Sequence, residues 1–216
     1  MTLLNPLPAD QFADLFGVQD WQLVQTYQQQ RSATGGGETQ YADRAPSMWK
    51  AEGIRTRAVC YADAEGIMAR INSRAGGIKS VLLYNKQLPF PADDPEGLII
   101  GAATPKLGAI ADRLHVAFTD FPAGYKMRTG SYFGLIFDAS RYYLGQFVED
   151  RTASGAGAIA SVEIWPPLPA SVSGAPDMII RKPCAKFRIV PGSAYPSLVS
   201  GQKNEISFSA EQTYSR

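Results

Sequence analysis

The sequence has a single histidine, His115, and only two cysteines, Cys60 and Cys184, in 216 residues. One histidine confines any Ser-His-Asp or Cys-His site to a constellation built around His115. That residue stands in "LHVAF", where its neighbours on either side face a core and the imidazole faces the other way, as an ordinary strand residue does. There is no G-x-S-x-G elbow, and Ser131 in "TGSYF" reads as a turn residue. The cysteines form no C-x-x-C spacing, so no metal or redox motif is supported, and both are expected as buried free thiols. Charge of one sign is also missing: 21 Lys plus Arg against 20 Asp plus Glu leave a formal net charge of +1. No global field therefore steers the chain onto nucleic acid or an anionic membrane, and specific nucleic-acid binding is not expected. No basic region precedes a long apolar run, and no segment approaches the roughly 20 apolar residues that span a bilayer. The expectation is a soluble protein made in the cytoplasm, with no membrane partner.

Glycine, proline and tyrosine are plentiful, at 20, 15 and 10 residues, while charged residues make up 19 % against about 25 % in an average domain. That balance favours β-structure with many turns. "WQLVQTYQQQ" alternates Trp21, Leu23, Gln25 and Tyr27 with Gln22, Val24 and Thr26, a strand period, and the glycines of "SATGGGETQ" break it. "APSMWKAEGIRTRAVCY" is a second extended run in which Arg55 and Arg57 share one face, expected towards solvent, with an acidic partner surface as the alternative. "NPLPADQFADLFGV" predicts a short helix over 8–16 with Phe12, Leu15 and Phe16 on one side. The convincing helix is 63–75: Ala64, Ile67, Met68 and Ile71 recur at i, i+3, i+4 and i+7. Asp63 can cap its start, and Gly76 or Gly77 can end it. "SVLLYN" comes next as a short buried strand.

Residues 85–113 read as a long irregular loop, suited to contact with another subunit. Its acids Asp93, Asp94 and Glu96 lack the spaced oxygens of a calcium loop and are expected as a solvated turn. From Leu114 onward, short extended runs end in Gly, Pro or Asp at the spacing of a small β-barrel or sandwich. Ala185, Phe187 and Ile189 are expected inward, with Lys186 and Arg188 outward, and a last strand places Ile206, Phe208 and Ala210 on one face. The fold class is therefore mainly β, in two β-domains. Residues 1–113 form an N-terminal sandwich or barrel with the helix, and 114–216 a small C-terminal barrel or sandwich. The last strand, about 204–210, is a candidate to return to the first domain.

Gly155, Gly157 and Ala160 spell G-x-G-x-x-A, the spacing of a dinucleotide-binding turn. Such a turn needs a strand before it and a helix after it, so that helix N–H groups meet the pyrophosphate. Here Val162, Ile164 and Trp165 favour a strand, and Pro166 and Pro167 stop any helix. No catalytic residue, cofactor or metal ligand is assigned, and the chain is not expected to be an enzyme. A carbohydrate-binding module used in host recognition is the alternative, with Tyr132, Phe133, Tyr142, Tyr143 and Trp165 as flat rings for sugar stacking.

The order of these segments carries a resemblance. Trp21, "RSATGGGE", "MWKAE", "INSRAGG", "SVLLYN" and "LPFPADDPEG" are succeeded by "FPAGYKMRTGSYFGLIF", "RYYLGQFVED", "ASGAGAIASVEIWPPLP" and "PCAKFRI". Over about residues 5–192 the chain resembles the distal tail proteins of long-tailed bacteriophages and their gene-transfer-agent relatives. It departs from them at Ser131, where an acid is common, and its second domain is left open between an oligonucleotide-barrel-like and a galectin-like module. The resemblance implies a structural virion protein that forms a hexameric ring at the tail tip. Its neighbours would be the tail tube protein, the baseplate hub protein and the tape-measure protein in the lumen. Helix 63–75 or loop 85–113 would supply ring contacts.

Overall fold

The computed structural model of the protein describes residues 4–215 except 16–17, 34, 57–58, 139 and 201–202. It is mainly β, with antiparallel sheets and one α-helix among the described residues. Two long strands, β1 (Val18–Ala33) and β2 (Thr39–Thr56), pair as a hairpin around the turn at Gly35–Gly37. After β3 (Val59–Cys60), helix α1 (Tyr61–Asn72) leads to β4 (Ser80–Tyr84), which is buried along its length. The chain then leaves this sheet and makes β5 (Lys106–Ile110), β6 (His115–Thr119), β7 (Lys126–Met127) and β8 (Tyr132–Phe137). Next come β9 (Arg141–Phe147), β10 (Arg151–Thr152), β11 (Ile159–Trp165) and β12 (Met178–Ile179). It returns as β13 (Cys184–Ile189), β14 (Tyr195–Ser200) and β15 (Lys203–Gln212).

The first sheet runs β1-β2-β15-β13-β4, with β3 and β14 also paired to β15. Its core is built by alternation: Ile206, Phe208 and Ala210 of β15 are buried with Ile54 of β2, Phe187 of β13, and Val81 and Leu83 of β4. Helix α1 buries Ala64 and Ile71 against this core, with Ile67 and Met68 partly buried beside them. The helix ends three residues before the expected 75, and Ala75 and Gly76 both take the left-handed backbone that turns the chain towards β4. It also begins earlier, at Tyr61, so Asp63 lies inside the first turn and Cys60 holds the cap position. The expected helix over 8–16 is instead two 3₁₀ turns, Ala9–Gln11 and Ala13–Leu15. Too short to form an α-helix alone, this segment is held by Phe12, whose ring meets Phe208 edge-on at 5.8 Å. Phe16 lies outside the described residues.

β5 to β12, without β7 and β10, form a six-stranded antiparallel sheet in the order β12-β8-β9-β11-β6-β5. Its two ends meet. Lys106 bridges Asp177, Leu107 N–H donates to Pro176 O at 3.0 Å, and Met178 N–H donates to Pro105 O at 2.7 Å. The second unit is thus a closed barrel, which leaves no free edge on this sheet. Phe118, Phe133 and Phe147 fill it, with ring centroids 5.2 to 5.5 Å apart, and Tyr143 is fully buried beside them.

Three sequence expectations change here. The strand β5 lies inside the segment 85–113 read as irregular, and it belongs to the barrel rather than to the N-terminal unit. β15 returns to the first sheet, as the reading of the last strand allowed, but β13 and β14 lie there too, so the barrel is an insertion between β4 and β13 and not a C-terminal half beginning at 114. Lys186, expected outward, is buried because the barrel lies against β13. Burial, with Arg188 and Arg141 nearby, holds its ammonium below the usual lysine value, and Nζ donates to Ser215 O at 3.0 Å.

Replacing Phe118 by alanine removes the ring shared by three aromatic contacts at the barrel centre. The expected cost is about 3–5 kcal/mol, measurable as a lowered urea midpoint.

Candidate functional site

The glycine turn at 155–157 joins β10 to β11. Ser154 N–H donates to Ala158 O at 2.8 Å, Gly157 N–H to Ser154 O at 2.9 Å, and Ala158 N–H to the Ser154 hydroxyl at 3.2 Å. Gly157 has φ +73°, and a Cβ there would run into the carbonyl oxygen of Phe121, whose own N–H donates to Gly157 O at 3.0 Å. Gly155 has open space around it. The turn runs into the strand Ile159–Trp165, so no helix N-terminus faces it. One glycine is needed for close backbone approach between two loops of the barrel, and the other is not.

His115 opens β6, and its Nδ1 lies 2.9 Å from Asp112 Oδ2. The same carboxylate accepts from the backbone N–H groups of Leu114 and His115, both at 2.7 Å. The His115 ring and these N–H groups hold Asp112 below the usual carboxylate range. The pair forms a tight exposed turn, and neither Ser131 nor a cysteine is among the hydrogen-bond partners of His115. Ser131 is buried, its carbonyl accepting from Phe147 N–H at 3.0 Å. Both cysteines are free, but Cys60 is exposed rather than buried, because it caps an exposed end of α1 and donates to Asp63 Oδ2 at 3.0 Å. Cys184 is partly buried, and burial pushes its thiol up to about 11. Among the described residues, no group of three His, Cys, Asp or Glu side chains could hold a metal ion, and no helix is long and apolar enough to cross a membrane.

Of the five rings considered for sugar stacking, Phe133 and Tyr143 lie in the barrel core and Tyr132 packs against Trp49 at 5.5 Å. Tyr142 and Trp165 are half-buried, and the Trp165 ring is covered on one side by Tyr27 at 6.3 Å. These positions do not make a common exposed platform. Arg55 is exposed as expected, and Arg57 lies outside the described residues.

Two features take a form that the sequence reading did not give them. The first is the acidic turn. Asp93 pairs with Arg128, whose Nε lies 2.7 Å from Oδ2, and Glu96 is exposed, but Asp94 is 3 % exposed and not solvated. Its oxygens accept from Ile99 N–H at 3.1 Å and Ile100 N–H at 2.9 Å, with the Tyr125 hydroxyl at 3.4 Å. Burial raises the Asp94 carboxyl, but the backbone donors of Ile100, Ile99 and Leu98 outweigh it, and its pKa falls below the ordinary value. Arg181 donates to Gly97 O and to Gly101 O from the other side. The loop is thereby fixed with Leu98 and Ile99 standing out of it, 74 % and 59 % exposed.

The second feature is the outer half of the β1–β2 hairpin. β2 pairs with β15 only as far as Lys50, opposite Glu211. Beyond Met48 the two strands continue alone, with a register shift at Gln28 opposite Ala45 and then an even ladder from Gln29 opposite Asp43 to Ala33 opposite Thr39, over roughly 20 Å of extended chain. Both faces of this arm are exposed. Gln29 bonds Asp43 at 2.7 Å and Arg44 bonds Gln30 across the strands, while Tyr41, and Tyr27 and Val24 towards its base, stand in water at 62 %, 53 % and 42 % exposure. The Gln-rich strand has polar residues on both faces, so no period-2 pattern announced that it would extend so far.

A scan of the chain against protein-family models gives no match, and no curated protein matches it significantly.

This geometry sets two expected outcomes. Gly157→Val is expected to unfold or grossly destabilise the barrel while Gly155→Val changes the melting temperature little, read by thermal unfolding of both variants. Asp94 has a lowered folded-state pKa, so its contribution is present above the unfolded carboxylate value of about 3.9 and is lost as pH falls through the folded value. Asp94→Asn is expected to cost about 1–3 kcal/mol at pH 6 and progressively less as the pH is lowered towards 2, by urea titration at each pH.

Proposed function

We propose that the chain is a non-enzymatic structural protein that assembles as a homo-hexameric ring at the distal end of a phage tail. In this reading it joins the tail tube to the baseplate hub around a lumen that holds the tape-measure protein, and its location is the tip of the virion. The sequence resemblance supplies the identity of the assembly, and the arm is the structural observation that favours assembly.

A two-stranded ribbon without a covered face is marginally stable in water, and its outer edges carry unpaired N–H and C=O groups. Such an arm is stabilised by lying on a neighbour. A closed ring needs a heterologous contact, in which two different patches on each copy meet, and a projecting arm meeting the body of the next copy has that form. Tyr27 and Tyr41 suit such a contact, because a tyrosine buries a large ring at small entropic cost while its hydroxyl stays hydrogen-bonded. The Gln-rich strand suits a wet, polar remainder.

The test is to cut the arm back to an Asn-Gly turn joining Gln28 to Ala45 and to measure mass by light scattering and native mass spectrometry. The full chain is expected as a hexamer, alone or with its tail-tip neighbours, and as six-fold rings in electron micrographs. The shortened chain is expected as a folded monomer. A full chain that stays monomeric both alone and in disassembled tails would overturn the ring.

A further inference from the structure

We propose that Lys186, Arg188 and Arg141 form a seat for an oxyanion, a phosphate or a carboxylate, beside the C-terminal segment of the chain. This does not rest on ring assembly. Lys186 and Arg188 are two residues apart in β13 and share its outer face, against which the barrel lies. Arg141 opens β9, the barrel strand with most contacts to β13, and stands opposite Phe137 in the β8–β9 ladder. The segment after β15 lies among these three residues. Lys186 Nζ donates to Ser215 O at 3.0 Å, Arg188 Nη2 donates to Ser215 Oγ at 3.0 Å, and the ring of Tyr214 meets that of Phe137 at 6.5 Å.

This cluster has more donors than acceptors. Lys186 is 3 % exposed, yet among the described residues its three ammonium N–H groups share one acceptor, the Ser215 carbonyl. Arg141 Nε is buried and has none. No acid among the described residues pairs with Lys186 or Arg188. Glu211, opposite Arg188 in the ladder, is exposed, and Asp138 lies 3.7 Å from Nη1 of Arg141 on its half-exposed side. A buried ammonium beside two guanidinium groups is costly unless negative charge is brought to it. The strain is visible at Lys186, whose ammonium is held below the usual lysine value by burial and then by Arg188 and Arg141. An oxyanion supplies what is short: it only accepts hydrogen bonds, it has several lone pairs, and its charge keeps Lys186 protonated. Two guanidinium forks match the spaced oxygens of a carboxylate or phosphate, which a chloride ion does not offer. Arg188 is exposed and Ser215 half-buried, so the seat opens to water on that side.

The experiment is thermal unfolding of the full chain at pH 7 in inorganic phosphate and, separately, in acetate, each against sodium chloride at equal ionic strength. The wild-type melting temperature is expected to rise and saturate, with a half-point on the order of 1 mM and a gain of about 5 °C at about 20 mM. Saturation by phosphate alone assigns the seat to phosphate-bearing ligands, and saturation by acetate assigns it to carboxylates. Lys186→Met is expected to lose the saturating rise while melting no lower than the wild type in chloride, because an apolar chain of similar length replaces a buried charge. Arg141→Gln changes a half-exposed side chain and is expected to raise the half-point about tenfold, the loss of one charge-assisted hydrogen bond. Lys79→Met, at an exposed lysine away from the cluster, is expected to leave the half-point unchanged. A wild-type rise that saturates with neither anion, or one that is the same in Lys186→Met and Arg141→Gln, would overturn the seat, the ions then acting on the surface at large.

Discussion

Everything in the first unit waits on β15. This strand lies between β2 on one side and β13 on the other, and it also holds β3 and β14. Ile206, Phe208 and Ala210 close the apolar layer that α1 and the ring of Phe12 cover from outside. Its Ile206 N–H donates to the Thr56 hydroxyl at 3.0 Å, and the Gln212 side-chain oxygen accepts from Trp49 N–H at 2.9 Å, so both ends of β15 are fastened to β2. Among the described residues β15 is the one strand that pairs with the β1–β2 hairpin from outside it, and without β15 the pair β4 and β13 would be a separate two-stranded piece. Pairings between residues some 150 positions apart are entropically slow to find, which makes the sheet late and the locally connected barrel early in any folding order.

The barrel imposes a different constraint on its surroundings. By closing on itself through Lys106 and Asp177 it offers no edge, so its contact with the first sheet is made by side chains and not by a shared ladder. That is why Lys186 is buried where alternation alone would turn it to solvent, and why the seam contains tryptophans that reach across to a carbonyl or a ring. The first sheet and the arm that grows from it, unlike the barrel, keep open edges, and association by strand pairing can occur there. The outer edge of β4 is protected in a simple way: Leu7 N–H donates to Ser80 O and Leu82 N–H donates to Leu7 O, so the N-terminal segment lies along it.

Local pattern made some of this legible. The 3.6-residue period of Ala64, Ile67, Met68 and Ile71 marked the helix, and the alternation of 185, 187 and 189 and of 206, 208 and 210 marked core strands whose inward faces are as read. Val162, Ile164 and the two prolines after them marked the strand that follows Gly155 and Gly157. The insertion was not legible, because strand order depends on pairings between distant segments that share no local signal. The arm was hidden by its lack of an apolar face, and Asp94 by its setting. A carboxylate in a proline-flanked acidic turn looks solvated until the next few residues are seen to aim three N–H groups at it. The exposure of Cys60 is hidden for the same reason, since it is decided by which end of α1 the rest of the chain covers.

The insertion has one more consequence, for how such a molecule can change over evolutionary time. Tyr84 and Cys184, the residues on either side of the inserted barrel, are direct partners in the β4–β13 ladder. The barrel therefore occupies the place of a hairpin loop. A short turn there would leave each pairing of the first sheet in place, and a different closed module could be carried at the same point without any strand changing its neighbour. The ladder of the first sheet thus acts as a mount, while Tyr132 and Leu144 of the barrel, buried in the core of that sheet, are the positions that a replacement would have to fill.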